Sequence, residues 1–203
     1  MTTSIDPKRE LALGLYKIGA LKFGSFTLKS GLISPFYLDL RLLVSYPNVL
    51  ALSAAALADR ITGLEYDRLA ALPYAALPIG VALSLHVKRP MIYPRKERKE
   101  YGTGQLIEGE FKAGERALII DDLITKGDSK IEALAPLKAA GLQISDIAVL
   151  VDRESGGVQM LAQHGITVHA VLRLTEMLDI LQSAGSLAIV QRQTIDTWLS
   201  ENR

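Results

Sequence analysis

The sequence predicts an α/β domain: a doubly wound, mainly parallel sheet flanked by helices, with a small N-terminal hood. Three observations predict it. Short apolar runs rich in β-branched residues alternate with helical patterns along most of the 203 residues, the arrangement that yields parallel strands joined by crossover helices. One run, Ala117 to Ile120, leads into two adjacent carboxylates, Asp121 and Asp122, and then into a glycine-containing polar turn, Thr125-Lys126-Gly127-Asp128-Ser129. Residues 1–45 break the alternation, with one helix followed by a weak hairpin pattern.

Composition bounds the answer further. The chain is 49% apolar and 22% charged, as expected of one domain over residues 1–203 with a substantial core. A net charge of +1 provides no field to recruit nucleic acid or an anionic membrane, so neither is an expected partner. The absence of cysteine removes disulfide and thiolate chemistry. The first residues, MTTSIDPKRE, lack the apolar core of a signal peptide, and no apolar run approaches the roughly 18 residues of a membrane span. A cytoplasmic location is the expectation.

In order, Ser4 to Leu21 reads as an amphipathic helix with Leu11, Leu15 and Ile18 on one face. Phe23 to Leu28 and Phe36 to Leu40 read as two short strands around the turn Lys29-Ser30-Gly31. Pro47 to Ile61 is an alanine- and leucine-rich helix ending at Gly63. Leu69 to Leu72 is a strand, Pro73 to Ala76 a turn, Pro78 to His86 a helix and Met91 to Tyr93 another short strand. From Pro94 the pattern changes: PRKERKEYGTGQLIEGEF places Arg95, Lys96, Arg98 and Lys99 within five positions, then Gly102 and Gly104. A basic, glycine-hinged segment of this length inside an α/β domain reads as a functional loop, a lid over about 95–110. Ala117 to Ile120 is the central strand, with the acidic pair at its end and a helix from about Lys130 to Ala140. Ile147 to Val151 is a strand running into Asp152-Arg153-Glu154, Val158 to His164 a helix, Val168 to Leu172 a last strand, and two amphipathic helices follow.

The chemistry follows from residue types. A strand, an acidic pair, a short turn and a helix start together describe a ligand cradle. Backbone N–H groups at the helix start favour an anion. Two carboxylates about 4 Å apart repel by about 4 kcal/mol at an effective dielectric of about 20. Donor-rich sugar hydroxyls, with magnesium nearby, relieve that cost. A sugar phosphate is the ligand these features suit. The basic loop carries a single aromatic, Tyr101, which disfavours nucleic acid; a lid that brings cations onto a leaving diphosphate suits it better. His86, His164 and His169 lack metal-ligand spacing. No G-x-S-x-G, Walker A or G-x-G-x-x-G motif occurs.

These residues carry a family likeness. ALIIDDLITKGDS resembles the phosphoribosyl-pyrophosphate motif of type I phosphoribosyltransferases. FGSFTLKSGLISPFYLDLR, PRKERKEYGTGQLIEG and VLVDRESGG resemble orotate phosphoribosyltransferases in particular. PYAALPIG and VHAVLRLTEMLDIL are most similar to the corresponding domain of bifunctional UMP synthases. The likeness implies a type I phosphoribosyltransferase fold and the transfer of phosphoribose from phosphoribosyl pyrophosphate to orotate, in pyrimidine biosynthesis. It implies that Asp121 and Asp122 hold the ribose hydroxyls. The turn from Leu123 and Ile124 through Thr125, Lys126, Gly127, Asp128 and Ser129 would cradle the 5-phosphate. Lys29 would reach the substrate from the hood, and Arg95, Lys96 and Lys99 would meet the pyrophosphate. Arg153, Thr125 and the hood around Phe36 and Tyr37 would recognise orotate; a guanidinium fork matches a carboxylate bidentately. Lys99, Arg95 and Asp122 would form the catalytic set. Magnesium would be held mainly through the substrate with no direct protein ligand, and the lid would act across a homodimer.

Three positions depart from the wider family. Tyr101 stands where many relatives have histidine, Ala75 where a lysine is common, and Asp128 where a small hydroxyl residue is usual. A carboxylate facing a phosphate would be repelled, so Asp128 is expected to turn outward and cap the next helix. Two alternatives remain open: transfer to another nucleobase, and a non-catalytic regulator that senses phosphoribosyl pyrophosphate.

Overall fold

The structure, a computed structural model, describes residues 6–28, 31–95 and 106–202. Helix α1 (Pro7–Lys17) starts on Asp6, whose carboxylate accepts from Lys8 N at 3.0 Å. It buries Leu11, Ala12 and Leu15. The helix is shorter than the pattern suggests, because Gly19 turns the chain at φ +74° and Leu21 already opens a strand. Strands β1 (Leu21–Thr27) and β2 (Ile33–Leu38) pair antiparallel as the hood. The expected strand over Phe36–Leu40 therefore begins and ends earlier. Asp39 closes it by accepting from Arg41 N at 3.1 Å, which starts a short 3-10 helix, Leu40–Ser45.

Helix α2 (Pro47–Arg60), strand β3 (Arg68–Ala71), helix α3 (Ala76–Val87) and strand β4 (Met91–Pro94) follow close to their expected bounds. The two-residue strand β5 (Ile107–Glu108) lies inside the segment expected to be a lid, paired antiparallel to β4. Strand β6 (Ala117–Ile124) does not stop at the acidic pair but carries it within the ladder and continues to Ile124. Helix α4 (Asp128–Ala139) starts two residues before Lys130. Strand β7 (Asp146–Asp152), helix α5 (Gly157–Gln163), strand β8 (Thr167–Arg173) and helices α6 (Leu174–Ser183) and α7 (Ile189–Glu201) complete the chain.

The main sheet runs β5-β4-β3-β6-β7-β8, parallel throughout except for β5. Alternation along β6 sends Leu118 and Ile120 into a core built with α1, α2, α3, α6 and α7. Ala117 and Ile119 go into a second core with Leu134 and Leu137 of α4 and Leu161 of α5. Burial on both faces is why the strand reads as a continuous apolar run. Each fully buried leucine or isoleucine contributes about 1.5–3 kcal/mol. Among the described residues no helix is long and apolar enough to cross a membrane.

Candidate active site

The sheet order alone locates a crevice. From β3 the chain moves outward to β4, and from β6 it moves the other way to β7. The helices that follow them, α3 and α4, lie on opposite faces. The carboxyl ends of β3 and β6 therefore flank a topological switch point, where two connections diverge and leave space for a ligand. The segments found there are the turn after β3, whose Pro73–Tyr74 peptide is cis, and the last residues of β6, which include the acidic pair, with the turn that follows them.

Asp121 is only 5% exposed. Its Oδ2 is bound by the Lys130 ammonium, which reaches back from the first turn of α4, and its Oδ1 accepts from Asp122 N at 2.8 Å. The Asp122 carboxylate accepts from Leu123 N at 2.8 Å. Burial, and next the neighbouring Asp121 charge, push the Asp122 carboxyl up to about 7. The two carboxylates thus settle their repulsion unequally: a lysine neutralises one, and the other shares a proton near neutral pH. No motif in the sequence singles out Lys130. Its signal is position alone, at the start of the helix that folds back beside the strand end.

The turn after β6 enters α4 through Gly127 at φ +92°, in the left-handed region that glycine adopts without strain. Asp128 follows as the first residue of α4; it is exposed, as expected, but it makes no capping hydrogen bond, because the cap position belongs to Gly127. Ser129 is also exposed and Thr125 half-buried. The turn leans on the start of α5, where a Cβ on Gly157 would lie 2.3 Å from the Thr125 carbonyl oxygen. Arg153 N donates to Ile124 O at 2.9 Å, tying the ends of β6 and β7 together.

Arg153 itself is half-buried, with its charged form disfavoured by burial. Its guanidinium carbon sits 5.2 Å from the centroid of the Phe36 ring, and its Nε is buried without a hydrogen-bond partner. Phe36 is 1% exposed and delivered by β2 from the hood. Tyr37 points to the other face, as strand alternation requires, where it stacks with Phe26 at 5.6 Å and accepts from Arg41 at 3.3 Å. Phe36 and Arg153, far apart in sequence, are therefore brought together; the Tyr37 side chain is not.

On the other side of the switch point, Arg95 leaves β4. Its Nη1 donates to Glu108 Oε1 at 2.8 Å, and its backbone N donates to Leu106 O at 2.7 Å. A cavity of about 270 Å³ opens beside it, lined by Pro73, Tyr74, Leu77, Tyr93, Arg95 and Glu108 among others. Glu108 was not anticipated, since its strand is too short to read. Lys29, Lys96, Lys99 and Tyr101 lie outside the described residues. Among the described residues no group of three or more His, Asp or Glu side chains could hold a metal ion.

No protein-family model matches the chain. It is 40% identical over 186 residues to the bifunctional enzyme PyrF/PyrE of Nostoc, covering 92% of this chain and 39% of that protein. It is 38% identical over 180 residues to the orotate phosphoribosyltransferase of Pyrococcus abyssi, covering 88% of this chain and 97% of that protein. Among solved structures, the UMP synthase of Leishmania donovani superposes with a TM-score of 0.88 at 41% identity, over 96% of this chain and 42% of that one. Orotate phosphoribosyltransferase of Mycobacterium tuberculosis, in complex with 5-phospho-alpha-D-ribosyl 1-diphosphate, superposes with a TM-score of 0.71 at 25% identity, over 85% and 99% of the two chains. The chain thus spans about two fifths of the Nostoc enzyme and of the Leishmania UMP synthase, at 39% and 42% of their length, and nearly all of the Pyrococcus protein, at 97%. On that similarity, the chain belongs to the orotate phosphoribosyltransferase family.

Proposed function

We propose that this chain transfers phosphoribose from phosphoribosyl pyrophosphate to orotate, giving orotidine 5′-monophosphate and pyrophosphate, a step of UMP biosynthesis. The observation that carries the reading is the order of groups along the sheet edge: Arg95 just after β4, the acidic pair within the last residues of the β6 ladder, Arg153 just after β7. Cations flank a pair of hydroxyl acceptors, which suits a diphosphate on one side of a sugar and a carboxylated base on the other.

In this reading Asp122 and Asp121 hold the ribose hydroxyls. The turn Thr125 to Ser129, with the N–H groups that open α4, takes the 5-phosphate. Arg153 meets the orotate carboxylate over the Phe36 ring. The base nitrogen displaces diphosphate at the anomeric carbon through a transition state with cationic sugar character. An orotate anion needs no strong protein base, so positioning and leaving-group stabilisation do the work. Arg95 keeps N–H groups beyond the one given to Glu108 and can turn them to the diphosphate; Lys96 and Lys99 would join it.

Magnesium belongs to the proposal as an ion carried on the substrate. The donor set fits that role, because Asp121 is engaged by Lys130 and Asp122 is half-protonated near neutral pH, leaving no ready-made carboxylate cage. When bound, the ion supplies neutralisation of diphosphate charge.

A homodimer with the basic segment acting in trans is also proposed. In its support, Val81 and Leu85, one helical turn apart on α3, are 48% and 65% exposed, and Val44 and Tyr46, at the end of the 3-10 helix that packs on α3, are 62% and 42% exposed. Apolar area of this kind is what a subunit interface covers. Mixing Lys99→Ala with Asp122→Asn subunits should recover activity if sites are shared. The substrate assignment is tested by assaying orotate against uracil, hypoxanthine and adenine with phosphoribosyl pyrophosphate. Turnover with orotate alone supports it, and preference for another base overturns it.

A further inference from the structure

Trp198 is the only tryptophan of the chain and lies near the end of α7. Nothing in the proposed chemistry uses it. Its indole Nε1 donates to the Ile33 carbonyl oxygen at 2.7 Å, at the start of β2. Its ring meets the Phe36 ring edge-on, with centroids 5.6 Å apart at 88°. Phe36 in turn carries the Arg153 guanidinium on its other contact, 5.2 Å from the ring centroid.

We infer that Trp198 is a positioning residue for the base end of the site, acting through Phe36 on Arg153. The inference rests on the proposed role of Arg153 as the orotate-binding group. A hydrogen bond and an edge-on ring contact are both directional, so together they fix where β2 lies against α7 and how the Phe36 ring is turned. A guanidinium is attracted to a ring face within about 6 Å, so ring orientation decides where the cation rests. Arg153 Nε has no hydrogen-bond partner to hold it otherwise. The platform therefore orients the guanidinium while its Nε stays without a hydrogen bond. The hood is only two strands, and a two-stranded unit is marginal without packing. Clamping by α7 is what makes it a dependable platform.

A merely structural tryptophan would affect both substrates alike. Trp198→Phe keeps an apolar ring and removes the N–H; Phe36→Leu removes the platform directly. Steady-state KM values for orotate and for phosphoribosyl pyrophosphate are measured for the wild type, each single variant and the double variant, with thermal unfolding to confirm folding. Losing one hydrogen bond should raise the orotate KM of Trp198→Phe about 2- to 10-fold, with the phosphoribosyl-pyrophosphate KM unchanged. Because Trp198 acts through Phe36, the double variant should be no worse for orotate than Phe36→Leu alone. Unchanged orotate KM, equal change in both KM values, or additive effects in the double variant would each overturn the inference while leaving the transferase reading intact. A wild-type chain that does not use orotate would overturn both. Should Trp198→Phe fail to fold, Trp198→Tyr is measured under the same criteria.

Discussion

The Lys130 ammonium is bound to Asp121 Oδ2 across the turn that joins β6 to α4. Both side chains are largely buried, at 15% and 7% exposure. Removing one member of such a pair leaves a buried charge uncompensated. Lys130→Met should therefore lower stability by about 3 kcal/mol, measured by chemical unfolding at neutral pH. The same change should push the Asp122 carboxyl above its present value of about 7, since the lysine charge that lowers it is gone while Asp121 remains. Carboxyl NMR titration would detect the rise, and an unshifted Asp122 would separate the lysine from the pair.

Asp122→Asn should split stability from activity. Burial raises this carboxyl from its ordinary 3.8 to about 7, so the native state holds a proton that the unfolded state has lost. Stability from this group is full below about pH 4 and is lost as pH rises through 7. The amide variant is spared that loss. It should be more stable than wild type by about 1–2 kcal/mol above pH 7, after discounting for partial solvent access, with the gain vanishing near pH 4. Turnover should meanwhile fall by about 10²-fold, as when one transition-state contact is lost.

Gly157→Ala tests the contact between two turns. The added Cβ would sit 2.3 Å from the Thr125 carbonyl oxygen and 2.7 Å from Ile124 Cγ1, a distance that forces backbone to move. Overpacking of this kind costs about 1–3 kcal/mol. Because the displaced carbonyl belongs to the proposed phosphate turn, the KM for phosphoribosyl pyrophosphate should rise more than that for orotate. Crystallography of the variant would show whether Thr125 has shifted.

Leu85→Glu addresses assembly. At 65% exposure the substitution is harmless to a monomer, within about 0.5 kcal/mol, but a charge in an apolar interface is costly. Sedimentation should show a dimer for wild type and a monomer for the variant, with activity lost if the basic segment acts in trans. A variant that stays dimeric would move the interface elsewhere.

Much of this arrangement is legible in the residues. The alternation of apolar runs and helical patterns yields the strands and helices nearly in place, since both-face burial leaves a continuous apolar signature in β6 and β7. The acidic pair and its turn mark the cradle. Errors fall where backbone and side chain disagree. Asp121 and Asp122 look like a strand end, yet the backbone stays in the ladder through them and on to Ile124. Ile107–Glu108 is too short to carry a period. Lys130 on Asp121 and Phe36 beneath Arg153 are tertiary pairings, and no local spacing announces a partner that another element delivers.

The strand order has a consequence for selectivity by length. Arg95 and Arg153 leave strands β4 and β7, separated by β3 and β6. Neighbouring strands lie about 4.8 Å apart, so three intervals set a separation of about 14 Å at the sheet edge. Hydrogen-bonded ladders do not stretch, which makes that spacing a property of the scaffold and not of any side chain. Under the proposed assignment, a ligand held at both ends would have to reach from the strand that delivers Arg95 to the strand that delivers Arg153, a span that diphosphate, sugar and base arrayed together would cover and a lone base would not.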